Sequence, residues 1–233
     1  MRKDLGDGLL AAVGVTLGLL VGLVVADYRD VLALPRIGVA EASAVPRAAL
    51  DARVRAATVA VVAQGCGGAL RGTGVVTAGG LLVTAAHVAG GARTLDVTSD
   101  SGDHRFVGPV LAAAATGVAS VGVPGSWPQL TDASADPSVG DEVVVAGRSS
   151  GSTVVRHTRV QSYLSGRGPA DPARVVRLDV VVAPGDSGGP VVDRRGRLVG
   201  IVYASELRTH RALVIPRSEL ASALAADGAV NSC

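Results

Sequence analysis

The feature that most constrains the fold is a series of short valine-rich runs, bounded by turn residues, that recurs from residue 58 to residue 215. Runs of this kind predict strands of an all-β barrel or sandwich. Six runs precede a turn-rich break at Thr131–Gly140 and six follow it, which predicts two similar six-stranded barrels. Clear helical spacing occurs only at Arg217–Ala226, which predicts a short C-terminal helix. The twelve runs are Thr58–Ala63, Gly72–Thr77, Leu81–Ala85, Thr94–Thr98, Arg105–Ala112, Val118–Val123, Glu142–Ala146, Ser152–Leu164, Arg174–Val182, Gly189–Asp193, Leu198–Ala204 and Ala212–Ile215.

The composition excludes several classes of protein. With 48% hydrophobic and 18% charged residues, the 233-residue chain is not a wholly disordered one. The net charge is +2 and the arginines are scattered, so no basic stripe points to nucleic acid as a partner. Aromatic residues make up only 2%, so the core must be built from Val, Leu and Ala.

An uncharged stretch of 18 residues, Leu9–Ala26, lies near the N-terminus. At about 1.5 Å per residue it just spans a hydrocarbon core of about 30 Å, which predicts a single transmembrane helix. Arg2 and Lys3 before it predict a cytoplasmic N-terminus, with the rest of the chain outside the cytoplasm. The alternative is a cleaved signal peptide, for which Val24-x-Ala26 is an acceptable cleavage sequence. Both alternatives export the chain.

Cys66 and Cys233 are the only two cysteines. Two cysteines in an exported chain indicate one disulfide, whereas in a cytosolic chain they would be unrelated thiols. A bond between them would tie down the C-terminal tail. Neither cysteine has neighbours at metal-ligand spacing, so we predict no metal site and no cofactor.

Two motifs have the composition of a catalytic site. In the first, Thr84-Ala85-Ala86-His87 follows a predicted hairpin, which places a histidine where the second strand ends. In the second, Gly185-Asp186-Ser187-Gly188-Gly189-Pro190 surrounds a serine with glycines. Glycines let backbone N–H groups turn inward, as an oxyanion site requires, and a serine nucleophile needs a base such as histidine. Each motif alone is also typical of an ordinary strand end or turn, but the pair, 100 residues apart, indicates nucleophilic catalysis.

With these two motifs the chain resembles the chymotrypsin-fold (trypsin-like) serine proteases from about residue 56 to residue 226. It is most similar to the membrane-anchored periplasmic stress and acid-resistance proteases of high-GC bacteria, which have several membrane spans where this chain shows one. The resemblance implies that Ser187 is the nucleophile, that His87 is the general base and acid, and that the N–H groups of Gly185 and Ser187 form the oxyanion hole. It also implies a disulfide that matches Cys66 and Cys233, and a site in the cleft between two six-stranded barrels.

The resulting organisation has three parts. Residues 1–27 are the anchor or signal segment, and residues 28–55 are a linker that can include a short helix at Ala48–Arg55. Residues 56–233 are the protease domain, with barrel one at about 56–130 and barrel two at about 138–216.

The sequence departs from the family at the third member of the triad. The family has an aspartate about thirty residues after the histidine, and that position here is Gly117. The possible substitutes for its orienting role are Tyr203 and Thr116, and less directly Asp96, Asp100 or Asp103, which would have to fold back. Three interpretations stay open: a weak protease running on a dyad, another group in the orienting role, or a protein that binds without cutting.

We therefore predict an exported, membrane-tethered serine endopeptidase that cleaves peptide bonds of envelope proteins by acyl transfer, with reduced activity. The alternative is a catalytically silent protease-fold module that binds an envelope protein. Asp186 has a structural role in the serine loop under both interpretations.

Overall fold

The computed structural model describes residues 45–65, 68–89, 91–113, 116–166, 172–225 and 229–230. All of them belong to the second of the two units into which the chain divides, Ala44–Cys233. The predicted membrane segment at 9–26 and the predicted disulfide partners Cys66 and Cys233 lie outside the described residues. Within those ranges, no helix has the length and apolar character needed to cross a membrane.

The first half of the domain forms one antiparallel sheet. Its strands run in the order β14-β6-β7-β3-β2-β1-β4-β5. The sheet therefore has eight strands among the described residues, where the sequence predicted six. One extra strand arises because the run Arg105–Ala112 is split at Pro109, which has no N–H to donate to a ladder. The other comes from the C-terminal end of the chain. The strands are β1 (Thr58–Gly65), β2 (Gly68–Val76), β3 (Leu81–Ala85), β4 (Leu95–Thr98), β5 (His104–Val107), β6 (Leu111–Ala113), β7 (Val118–Gly122) and β14 (Ala229–Val230).

The second half forms a closed barrel of six strands in the order β10-β13-β12-β11-β8-β9, as the sequence predicted. Every strand of the barrel coincides with one of the valine-rich runs after the break, so the all-β prediction is confirmed. The strands are β8 (Glu142–Gly147), β9 (Val154–Ser165), β10 (Arg174–Val181), β11 (Pro190–Asp193), β12 (Leu198–Ser205) and β13 (Arg211–Pro216).

Three helices accompany the strands in the described part of the chain: α1 (Arg47–Ala57), α2 (Ala86–Ala89) and α3 (Arg217–Ala225). The last is the predicted C-terminal helix. Helix α1 overlaps the segment that the sequence assigned to a linker at 28–55. It buries Leu50, Val54 and Ala57 on one face, because these residues lie three or four positions apart. Residues 47–55 therefore pack on the folded domain.

A shared apolar cluster joins the sheet, the barrel and the helices. It contains Val83 from the sheet, Leu198 and Ile215 from the barrel, Val54 from α1 and Leu220 from α3. Each of these side chains is at most 2% exposed. Burying an aliphatic side chain of this size stabilises the fold by about 1.5–3 kcal/mol. The cluster thus fixes the sheet and the barrel against each other beside the two motifs.

Candidate active site

The histidine of the first motif stands at the end of strand β3, on the single turn α2. The N–H of Ala86 donates a hydrogen bond of 2.8 Å to the carbonyl of Gly117, which ties this turn to the residue before β7. Val88 and Ala89 turn into the core, and His87 between Ala86 and Val88 stays exposed. The end of the strand therefore presents the imidazole at the surface.

The serine of the second motif lies in a tight loop between β10 and β11. The N–H of Asp186 donates to the carbonyl of Ala183, and the N–H of Gly189 donates to the carbonyl of Asp186, both at 3.0 Å. Gly185 and Gly188 have φ of +101° and +85°, a backbone region that other residues rarely adopt. The glycines thus permit the two reversals that set Ser187 at the tip, half-buried.

Direct contacts join this loop to the hairpin that carries the histidine. The N–H of Thr73 on β2 donates a hydrogen bond of 2.8 Å to the carbonyl of Ser187. A Cβ at Gly188 would meet Thr84 Oγ1 and lie 3.1 Å from the N–H nitrogen of Ala85. The backbone of the serine loop and the end of strand β3 are therefore in van der Waals contact. The residue after Ser187 therefore touches the strand end two residues before His87.

Two N–H groups of the serine loop are left without an internal acceptor. Among the described residues, neither the N–H of Gly185 nor that of Ser187 donates to a backbone or side-chain acceptor. The neighbouring N–H groups of Asp186, Gly188 and Gly189 are all paired. A pair of available donors on either side of one residue suits the recognition of a developing oxyanion.

Asp186 anchors the loop from inside the barrel. Its carboxylate is fully buried and accepts hydrogen bonds from the N–H groups of Ser149 at 3.2 Å and Ala183 at 3.1 Å. Arg156 on β9 completes the set with an ion pair of 3.2 Å. Gly147 makes room, since a Cβ there would overlap the carboxylate. The structural role expected for Asp186 is therefore the anchoring of the loop.

The ring of Tyr203 occupies the space beside Gly117. A Cβ at Gly117 would lie 2.7 Å from Tyr203 Cε2 and 3.2 Å from Ile215 Cδ1. The same ring meets the imidazole of His87 edge to face, with centroids 6.0 Å apart and an interplanar angle of 72°. Of the two substitutes predicted for the orienting role, Tyr203 thus lies against both Gly117 and the ring of His87. Thr116 forms the half-buried turn before Gly117.

The three aspartates weighed as distant substitutes are engaged elsewhere. Asp96 pairs with His104 at 2.5 Å, Asp100 pairs with Arg148, and Asp103 accepts a hydrogen bond of 2.7 Å from Ser101. Within the described ranges, no carboxylate forms an ion pair with the His87 ring, whereas His104 and His157 each pair with an aspartate.

His87 keeps an exposed face, but the part of its imidazole that packs on the protein loses water, and this desolvation lowers its pKa from the ordinary value of 6.5. A neighbouring carboxylate would raise that pKa by favouring the charged ring. The direction of the shift therefore agrees with a neutral aromatic neighbour. Among the residues that the structure describes, no group of three His, Cys, Asp or Glu side chains could hold a metal ion.

Comparison with known proteins identifies the class. Residues 72–201, more than half of the chain, match the trypsin-like peptidase domain, so the chain belongs to the trypsin-like serine protease family. This confirms the resemblance drawn from the two motifs.

Among individual relatives, the serine protease Rv3671c of Mycobacterium tuberculosis is 31% identical over 179 residues, which are 72% of this chain and 45% of that protein. This chain thus spans less than half the length of that relative.

The crystal structure of the inactive form of Rv3671c matches with a TM-score of 0.66 at 28% identity, over 77% of this chain and 93% of the other. The active form matches at 0.69 and 25% identity, over 79% and 86%. The HtrA-type protease AlgW with a tripeptide matches at 0.66 and 21% identity, over 76% and 60%, and that likeness concerns the fold alone.

Two residues of the site, Thr73 and Arg156, were not predicted from the sequence. Thr73 was seen only as part of a strand, although its place between two glycines in Gly72-Thr73-Gly74 is a signal of close packing. Arg156 stood in a polar stretch with nothing to connect it to Asp186. Its partner lies in the loop between β10 and β11, 30 residues further along the chain, so only the folded barrel brings the two together.

Proposed function

We propose that this protein is a serine endopeptidase in which His87 and Ser187 act as a catalytic dyad. The observation that carries the proposal is the contact between the serine loop and the end of β3, beside two N–H groups that have no acceptor among the described residues. Membership of the trypsin-like family supports the same reaction.

The proposed reaction is an acyl transfer in two halves. The Ser187 hydroxyl attacks the carbonyl carbon of the scissile peptide while the His87 imidazole accepts its proton. The oxyanion that forms accepts hydrogen bonds from the N–H groups of Gly185 and Ser187. Collapse releases the amine, which takes the proton from His87, and leaves an ester on Ser187. Water then attacks the ester with the same proton transfers, returning the free serine and a carboxylic acid.

A neutral group beside the imidazole implies a slow enzyme. A triad carboxylate fixes the imidazole tautomer and stabilises the imidazolium, and its replacement lowers kcat by up to about 10⁴-fold. Tyr203 offers the imidazole an aromatic ring in place of a carboxylate. We therefore expect turnover about 10²- to 10⁴-fold below that of a complete triad.

The proposed location is the cell envelope, with the protease domain outside the cytoplasm and residues 9–26 as a single-pass anchor. The uncharged stretch after Arg2 and Lys3 supports this location, and so does the number of cysteines. The natural substrates are then proteins of the envelope. Membrane fractionation and N-terminal sequencing of the mature protein separate a retained anchor from a cleaved signal, and non-reducing peptide mapping tests the bond between Cys66 and Cys233.

Labelling of the full chain with a fluorophosphonate probe tests the catalytic proposal. We expect labelling that is lost in Ser187→Ala and strongly reduced in His87→Ala. Ser152→Ala, in an exposed turn, serves as the matched control and should label like the unmodified protein. Absence of Ser187-dependent labelling from pH 5 to pH 9 would favour the catalytically silent module that binds an envelope protein.

A further inference from the structure

We propose that the ring of Tyr203 is a positioning group that holds the His87 imidazole in place of a triad carboxylate, and that Gly117 is the matched residue that admits this ring. The proposal rests on the His87–Ser187 dyad proposed above. It assigns to two residues, one on β12 and one before β7, a single shared role.

Tyr203 is held by the same loop that carries the nucleophile. The preceding residue, Val202, exchanges two backbone hydrogen bonds with that loop: its carbonyl accepts from the N–H of Gly188 at 2.7 Å, and its N–H donates to the carbonyl of Gly189 at 2.8 Å. The backbone of β12 at this point is therefore fixed relative to Ser187. A side chain that leaves β12 at position 203 starts from a rigid base.

Gly117 provides the space for the ring. Its φ is +72°, and a Cβ there would lie 2.7 Å from Tyr203 Cε2 and 3.1 Å from Cδ2. Real Cβ atoms do not come that close to ring carbons, so any larger residue at 117 requires Tyr203 to move. The residues at 117 and 203 thus depend on each other.

The ring in turn restricts the imidazole. The centroid separation of 6.0 Å and the angle of 72° fall within the range of favourable edge-to-face aromatic pairs. Since the turn α2 is already tied to Gly117 through the N–H of Ala86, both the backbone and the ring of His87 are held by the same small region. This contact orients the base without adding a negative charge.

The geometry also explains why a carboxylate cannot simply be restored. In Gly117→Asp the new side chain would meet the Tyr203 ring, although aspartate itself tolerates a left-handed backbone better than most residues. Removing the ring in the double variant Gly117→Asp/Tyr203→Ala opens the space. A carboxylate at 117 is then free to approach the ring of His87.

The test measures the second-order rate of fluorophosphonate labelling on the full chain across pH, with thermal unfolding as the check on folding. We expect Tyr203→Phe to label within about 2-fold of the unmodified protein, because the ring is kept. Tyr203→Ala should label about 3- to 10-fold more slowly, which is the rate equivalent of losing one aromatic pair. On the acid side of the pH profile, the pH at which labelling of Tyr203→Ala falls (the acid limb) should also rise toward 6.5, because the His87 imidazole becomes hydrated. A purely structural role would not move that limb.

The double variant adds an independent readout. Gly117→Asp/Tyr203→Ala should label at least 10-fold faster than Gly117→Asp alone, which separates a matched pair from two unrelated residues. If Tyr203→Ala does not fold, Tyr203→Met keeps a similar volume without the ring and carries the same expectation.

The proposal is overturned if Tyr203→Ala labels at the unmodified rate with an unmoved acid limb, or if Tyr203→Phe alone loses 10-fold or more. These outcomes differ from a failure of the dyad itself, in which the unmodified protein shows no Ser187-dependent labelling at all.

Discussion

The hydroxyl of Thr73 donates a hydrogen bond of 2.7 Å to the carbonyl of Gly185, from a strand of the first sheet to the loop that carries Ser187. The same hydroxyl accepts a hydrogen bond of 2.9 Å from the N–H of Arg148 in the loop after β8. Thr73 is fully buried, so both bonds are shielded from water. The side chain of Thr73 thus couples the sheet to two loops of the barrel. The Gly185 carbonyl that this side chain holds belongs to the peptide unit next to the one that contains the Gly185 N–H.

Replacing this hydroxyl by a methyl group should disturb both stability and reactivity. Thr73→Val keeps the shape but leaves the partly buried Gly185 carbonyl and Arg148 N–H without this partner, which lowers the free energy of unfolding by about 1–3 kcal/mol. We expect fluorophosphonate labelling to slow about 10-fold, less than for an oxyanion donor removed outright, because the Gly185 N–H is displaced rather than lost. Thr73→Ser is the control and should stay close to the unmodified protein in both measurements. Equal unfolding free energies and labelling rates for Thr73→Val and Thr73→Ser would contradict the coupling of the sheet to the serine loop through this hydroxyl.

The ion pair between Arg156 and Asp186 should matter far more than a neighbouring surface pair. Arg156→Leu leaves a fully buried carboxylate without its cation, and breaking a buried pair in this way costs about 3–5 kcal/mol of unfolding free energy. Arg159→Leu, three residues along the same strand, removes an ion pair with Glu142 whose side chains are 62% and 42% exposed, and should cost less than about 1 kcal/mol. Urea unfolding of both variants measures the difference. A loss in Arg156→Leu no larger than in Arg159→Leu would argue against Asp186 as the anchor of the serine loop.

Gly188 should tolerate no side chain because it lies against the sheet, and Gly151 is the control that separates this contact from the backbone penalty. Gly188 and Gly151 have nearly the same φ, +85° and +91°, so alanine meets the same backbone penalty of about 1–2 kcal/mol at either site. A Cβ at Gly151 would meet nothing within 4 Å, whereas a Cβ at Gly188 would overlap the carbonyl of Thr73. We expect Gly188→Ala to shift the loop and slow labelling about 100-fold, while Gly151→Ala labels normally. Similar labelling rates for the two variants would show that the loop and the sheet are not in close contact.

The pH dependence of labelling should report the lowered pKa of His87. The base must be neutral to accept the serine proton, so labelling falls only as the pH drops through that pKa, below the ordinary value of 6.5. Because the unfolded chain titrates near 6.5, it binds more protons than the folded chain between the two values. Stability therefore decreases as the pH falls through this window. Labelling rates and urea midpoints from pH 4 to pH 8 measure both effects, and an acid limb above 6.5 would indicate a carboxylate beside the ring.

Local pattern was enough to predict most of the fold. The valine-rich runs after Thr131–Gly140 became the six strands of the closed barrel, since alternation and turn residues act within a few positions of each other. The first half was predicted less well. There, the number of strands depended on a proline within a run and on β14, which pairs with β6 from the far end of the chain.

The candidate site divides in the same way. The sequence by itself was enough to propose Ser187 as the nucleophile and His87 as the base, and it determined the glycines around Ser187 and the glycine at position 117, because each is written in a short contiguous motif. Only the tertiary structure decided that the Tyr203 ring covers Gly117, that Arg156 reaches Asp186 and that Thr73 holds Gly185. Each of these contacts joins residues on separate elements. Their meeting depends on strand register and barrel closure, which arise from the packing of the whole core and not from any one segment.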